Sequence, residues 1–118
     1  GDYTPPSRFV RTAYLKHFAT MPESAAGAVE LTGHILNNVD IPKGAITASE
    51  AGKVIPDYTQ WVAIKDLSNN QFYFSDYNHR LNYVKIDLSK VFTEAKPFAI
   101  MIDKVNYPSN DVTASLIK

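Results

Sequence analysis

What most limits the folds open to this chain is a change of hydrophobic period part-way along it. In residues 5–19 the apolar side chains Phe9, Val10, Ala13, Tyr14 and Phe18 recur at helical spacing. In residues 25–39, Val29, Thr32, Leu36 and Val39 do the same, with Ala28, Leu31 and Ile35 beside them. From residue 58 the period drops to two, as Trp61 and Ala63 alternate with Val62 and Ile64. A helix turns its side chains every 3.6 residues and a strand every two, so the switch marks helices first and sheet afterwards. The order predicts an α+β class, with two N-terminal helices packed on an antiparallel sheet.

Local signals set the boundaries. Thr4 can cap free amides and Pro5 suits a first helical position, so a helix is expected over residues 5–19. Thr20-Met21-Pro22 breaks it, and a second helix follows with Pro22 and Glu23 in its first turn. Gly27 and Gly33 lie inside that helix, each costing about 1 kcal/mol against alanine, which suggests close approach to another element. Asn37-Asn38 and Pro42-Lys43-Gly44 end it. Residues 45–58 lack a sustained period and read as a surface loop, with room for a short strand at 45–47.

Strands are expected over 58–66 and 71–77, joined by the polar turn Leu67-Ser68-Asn69-Asn70, and over 81–86 after Asn78-His79-Arg80. Asp87 can cap a helical turn over 88–92. The apolar run Phe98-Ala99-Ile100-Met101-Ile102 suits a strand at 97–103 covered on both faces. From Asn106 the tail is read as partly disordered or packed on neighbouring surface.

Composition removes several function classes. Twelve basic and twelve acidic residues cancel and are interspersed, which argues against nucleic acid or an anionic membrane as partner. No apolar run reaches the roughly 20 residues that span a bilayer. The 118 residues include no cysteine, so disulfides and thiolate metal sites are excluded. His17, His34 and His79 form no pair at metal-ligand spacing, and no cofactor is implied. His34 reads as a hydrogen-bonded packing residue. Asp57, Asp66, Asp76 and Asp87 fall at strand ends and turns, where aspartate serves the backbone. No nucleophile-elbow motif supports a Ser/His/Asp triad.

Arg8 is the candidate catalytic residue. Arg8 and Arg11 sit in the first turns of a helix whose N-terminus carries partial positive charge and prefers Asp or Glu, so something besides helix propensity placed Arg8 there. The plain alternative for Arg8 is a solvated arginine bridged to Asp2. Arg11 reads as structural, paired with nearby carboxylates.

Gly1-Asp2-Tyr3, then Ser7-Arg8-Phe9-Val10-Arg11, resembles the segment of choloylglycine hydrolases and penicillin V acylases that supplies a catalytic arginine. His34-Ile35-Leu36-Asn37-Asn38-Val39-Asp40-Ile41-Pro42-Lys43-Gly44 is similar to the same family's helix exit. A looser match is Asp57-Tyr58-Thr59 ahead of strands ending in Phe72-Tyr73-Phe74.

The resemblance implies a linear amide C-N hydrolase of the N-terminal-nucleophile type. An amino-terminal cysteine attacks the amide, and its own α-amino group is the base. It implies that residues 1–118 are a single C-terminal fragment of such a domain, inactive alone, whose partner is the missing N-terminal part of the same protein. Arg8 would stabilise the thiolate or oxyanion, so Arg8→Ala should strongly reduce activity and Arg11→Ala largely spare it. Tyr3 would touch substrate if its loop borders the pocket.

Other implications are a small-molecule amide substrate (penicillin V, a conjugated bile salt or an N-acyl signal), a homo-oligomer that is a tetramer in the family, and a bacterial location with the periplasm favoured over the cytoplasm. The strand region is closer to the penicillin V acylase-like side. The family fold is a four-layer αββα sandwich, so a fragment would leave one sheet face apolar and unpartnered, with Trp61, Phe72, Phe74 and Tyr83 on it. The alternative reading is a non-catalytic α+β interaction module.

Overall fold

The structure, a computed structural model, describes residues 1–94 and 99–117. Helix α1 (Pro5–Phe18) starts with prolines in its first two positions and closes where the Ala19 amide donates to the Leu15 carbonyl at 2.9 Å. Thr4 does not cap it. The Thr4 hydroxyl and amide both donate to Asp2 Oδ1, at 2.5 and 3.0 Å, so the threonine side chain is turned back onto the loop and away from the helix amides. Helix α2 (Ala25–Asn37) is capped by Ser24, whose hydroxyl accepts from the Gly27 amide at 3.0 Å. Pro22 and Glu23 therefore precede the helix rather than open it.

Strands β1 (Ile46–Glu50) and β2 (Lys53–Asp57) pair in an antiparallel hairpin where a loop was expected. Its joint is Ala51-Gly52, both at positive φ (49° and 76°), as a two-residue hairpin turn with the native twist requires. Ile46 is half-buried and the other strand residues are exposed, so neither strand needs an apolar face.

Strands β3 (Trp61–Asp66), β4 (Gln71–Asp76) and β5 (Val84–Asp87) form the second sheet in that order, antiparallel throughout. This is the three-strand meander that the alternation predicts. β5 begins at Val84, three residues later than expected, because Leu81 is fully exposed and Asn82 bonds elsewhere. Four aspartates close strands: Asp66, Asp76 and Asp87 accept from the amides of Asn69, His79 and Ser89, and Asp57 ends β2. Asp87 also opens the expected helical turn α3 (Leu88–Val91). Of the strand expected over residues 97–103, residues 97 and 98 lie outside the described residues. Residues 99–101 are irregular and Ile102–Lys104 is a 3-10 turn. Ile100 and Met101 stand exposed, with no strand among the described residues alongside to take their backbone bonds. In the tail, Thr113–Leu116 forms one helical turn, α4.

The register sorts the meander into two faces, because opposite residues share a side. Val62, Ile64, Tyr73, Ser75 and Lys85 lie on one. Val62 and Ile64 are buried there, and with Ile41 they are the buried apolar residues among the described ones. α2 covers this face: the Ile64 side chain reaches to 3.9 Å of where a Cβ on Gly33 would stand. The expected close approach exists at Gly33, but a methyl fits there at ordinary contact. At Gly27 the close neighbours are Pro22 and Ser24 of the same turn, 3.2 and 3.3 Å from a built Cβ. Gly33→Ala should therefore raise the chain's stability by about 1 kcal/mol, the difference in helix propensity, measured by urea denaturation.

The other face carries Trp61, Ala63, Phe72, Phe74, Val84 and Ile86. Trp61 is 54 % exposed, and the half-buried Phe72 and Phe74 rings stack on each other 6.4 Å apart. This is the apolar, unpartnered face expected of the sheet. Tyr83 does not belong to it; it lines a space beneath α2 with Val29, Gly33, Ile64 and Tyr73. Helix α1 rests on α2 with Thr12, Lys16 and Ala19 turned inward. Its apolar stripe faces away, with Phe9, Val10, Tyr14 and Phe18 between 62 and 75 % exposed.

Candidate active site

The front of the chain is built from short-range bonds. Asp2 Oδ1 gathers the Thr4 amide and hydroxyl, and the Ser7 hydroxyl stands 3.3 Å from the latter. These donors hold the exposed Asp2 carboxyl down at about 2, the Thr4 hydroxyl contributing most. A depressed carboxyl stabilises the fold above its ordinary value of 3.8 and loses that effect as pH falls toward 2. The Thr4 amide shift, followed by NMR between pH 5 and 1.5 (roughly the span of the two ionisations), should therefore titrate with a midpoint near 2.

Arg8 and Arg11 diverge. Arg11 Nη1 donates to the Asp2 carbonyl at 2.6 Å, so it pairs with backbone and not with the carboxylates expected of it. Arg8 sits on the side of α1 that includes Thr12 and Ala19, half-buried, and the Thr12 hydroxyl donates to its carbonyl at 2.8 Å. Its Nε is buried without a hydrogen-bond partner among the described residues, and it makes no bridge to Asp2. An unpaired buried donor costs about 1–3 kcal/mol, more on a charged group. Such a permanently charged, planar donor set is suited to an oxyanion or a thiolate. No thiol stands near it, since the chain has none.

The helix exit is tied down one residue after another. Arg80 Nη2 approaches Asp40 Oδ1 at 2.9 Å, an ion pair whose geometry is off the hydrogen-bond angle. Ile41 exchanges bonds with Thr59, its amide to the hydroxyl at 2.9 Å and its carbonyl from the amide at 3.0 Å. The Lys43 amide donates to the Tyr77 hydroxyl at 3.0 Å.

A second polar cluster closes β4. His79 Nδ1 lies 2.8 Å from the carboxylate of buried Asp76, and its ring stacks 4.0 Å from Tyr107. Burial, and then the Asp76 charge, push the Tyr107 phenol up, against the Asp76 amide that donates to its oxygen. Ser75 is fully buried and donates to the His79 carbonyl at 2.9 Å, so it faces away from nucleophilic work. Neither Arg80 nor Tyr107 stands out in the sequence, because their partners are distant in the chain. His34 is exposed instead of packed, and exposed His17 meets Phe18 edge-on at 4.7 Å.

Comparison with known proteins agrees with the motifs. The chain is 35 % identical over 80 residues to an uncharacterized protein of Paramecium bursaria Chlorella virus 1, covering 66 % of this chain and 29 % of that one. It is 33 % identical over 93 residues to the bile salt hydrolase/transferase of Clostridium perfringens, covering 76 % of this chain and 26 % of the relative. To the bile salt hydrolase/transferase of Lactiplantibacillus plantarum it is 31 % identical over 88 residues, covering 74 % and 26 %. The chain thus matches less than a third of the length of these curated relatives. Residues 1–102 match the family model of linear amide C-N hydrolases, choloylglycine hydrolase family. With its Arg8-bearing helix and its anchored helix exit both inside that match, the chain belongs to the choloylglycine hydrolase family of linear amide C-N hydrolases.

Proposed function

We propose that residues 1–118 are the C-terminal part of an amidase that hydrolyses the linear C-N bond of a small-molecule amide. In this reading an N-terminal cysteine, supplied by the rest of the protein, attacks the amide carbonyl and forms a thioester as the amine leaves. Water then releases the acid. Arg8 is the catalytic residue contributed here, holding negative charge on the thiolate or on the carbonyl oxygen as it develops. The observation that carries this is the half-buried Arg8 guanidinium with its Nε unpaired, inside the family match.

Conjugated bile salts are supported as substrates by the names of the two bacterial relatives, and penicillin V by the resemblance in the strand region. The same reading includes assembly of the whole protein as a homo-oligomer, a tetramer by resemblance. The bare apolar sheet face and the outward stripe of α1 support a part over a self-contained interaction module, which would cover such surface.

The test is an assay of the whole protein against penicillin V, a glycine- or taurine-conjugated bile salt and an N-acyl lactone, with free amine as the readout. Amine release from one class is the expected result. No release from any of them would remove the assignment.

A further inference from the structure

Arg11 stands at one end of a path of hydrogen bonds that reaches the Arg8 backbone. Arg11 Nη1 donates to the Asp2 carbonyl at 2.6 Å, and Asp2 Oδ1 accepts from the Thr4 amide and hydroxyl. The Thr4 carbonyl then accepts the Arg8 amide at 3.0 Å, and the Arg8 carbonyl accepts the Thr12 hydroxyl. Gly1 lets the guanidinium in: a Cβ at that position would stand 3.1 Å from Arg11 Nη1 and 3.5 Å from Ser7 Cβ. Charge-assisted bonds of this kind are about twice as strong as neutral ones, and they fix geometry as well as energy.

We propose that Arg11 is a positioning residue for amide hydrolysis: it clamps the loop of residues 1–4 onto the first turns of α1 and so fixes where the Arg8 guanidinium is presented. This rests on the reading of Arg8 above. It also answers why a second arginine occupies a helix start that disfavours it. A cation there is tolerated because its charge is turned back onto a carbonyl ahead of the helix. Arg11 stays structural, as the sequence suggests, but the structure it maintains is that of the site. Its loss is accordingly more costly than the near-neutral effect the sequence suggests.

The experiment measures kcat, KM and thermal midpoint for the whole protein and for Arg11→Ala, Arg11→Lys, Arg8→Ala and the double variant Arg8→Ala/Arg11→Ala, on the amide that the wild type hydrolyses. Arg11→Ala should lower kcat about tenfold with KM within about twofold, because misplacement of a catalytic group costs rate and not ground-state binding. Arg11→Lys should recover most of the rate, since an ammonium can still reach the Asp2 carbonyl. The double variant should be no slower than Arg8→Ala alone, as expected of residues that act as a unit.

Full kcat in Arg11→Ala, with Arg8→Ala inactive, would overturn the positioning role while leaving Arg8 in place. A double variant slower than Arg8→Ala by the full Arg11 factor would overturn it too. Wild-type activity in Arg8→Ala would instead remove the reading beneath it. If Arg11→Ala melts well below the wild type, Arg11→Lys and the neutral donor Arg11→Gln decide. Rates that fall with melting temperature alone, whatever donor is present, would count against the proposal.

Discussion

In the proposed amidase, Arg8→Ala should lower kcat/KM for amide hydrolysis by about 100- to 1000-fold, the usual effect of removing one oxyanion donor. The size follows from the state of the guanidinium. It is half-buried, its Nε has no partner among the described residues, and Asp2 does not neutralise it. A surface arginine bridged to Asp2 would give a change within about twofold, since exposed ion pairs contribute about 0–1 kcal/mol. Arg8→Lys separates charge from shape. It keeps the cation but loses the planar fork, so it should recover only a small part of the rate. Steady-state kinetics on purified variants, with thermal midpoints matched to the wild type, decides between the two.

The largest effect on stability falls on Ile64. It is 6 % exposed, at the centre of the covered sheet face, and meets α2 at Gly33. Ile64→Ala removes three carbons from a core of few residues and should cost about 2–5 kcal/mol, read from urea denaturation. Trp61 provides the contrast. It neighbours Val62 but points to the bare face, 54 % exposed. In the isolated chain Trp61→Ala should change stability by less than about 1 kcal/mol. In the whole protein, where the proposed remainder covers that face, the same change should cost about 3 kcal/mol or more. Equal small effects in both settings would show that nothing packs on Trp61.

How much of this was legible in the sequence depended on whether period or distance carried the information. α1, α2 and the β3–β5 meander follow from period, because Val62 and Ile64 had to share a side and Gly33 had to lie near something. The β1–β2 hairpin gave no such signal. Its strands are almost wholly exposed, and the Ala51-Gly52 turn was its one local mark. The stripe on α1 was visible as a stripe, but period does not say which way it faces, and here it faces outward. Tyr83 was grouped with Trp61, Phe72 and Phe74 as an aromatic, but its alternation is that of Lys85, which the register puts on the covered face beneath α2.

At the site, motif spacing singled out Arg8. The Asp40–Arg80 pair and the Tyr107 contact with Asp76 were not legible, since they join segments brought together only by the fold. The Thr4 cap was missed for a simpler reason: a threonine side chain can bond the helix amides or a nearby carboxylate, and here it goes to Asp2.

The central claim is that this chain brings an arginine, and not a nucleophile, to amide hydrolysis. The most direct test is to assay the 118-residue chain alone and again after assembly with the proposed cysteine-bearing N-terminal part, on penicillin V, a conjugated bile salt and an N-acyl lactone. The account predicts no amine release from the chain alone and release once the two parts combine. Hydrolysis by the isolated chain, or an assembled protein with intact Arg8 that cleaves none of the three, would contradict it.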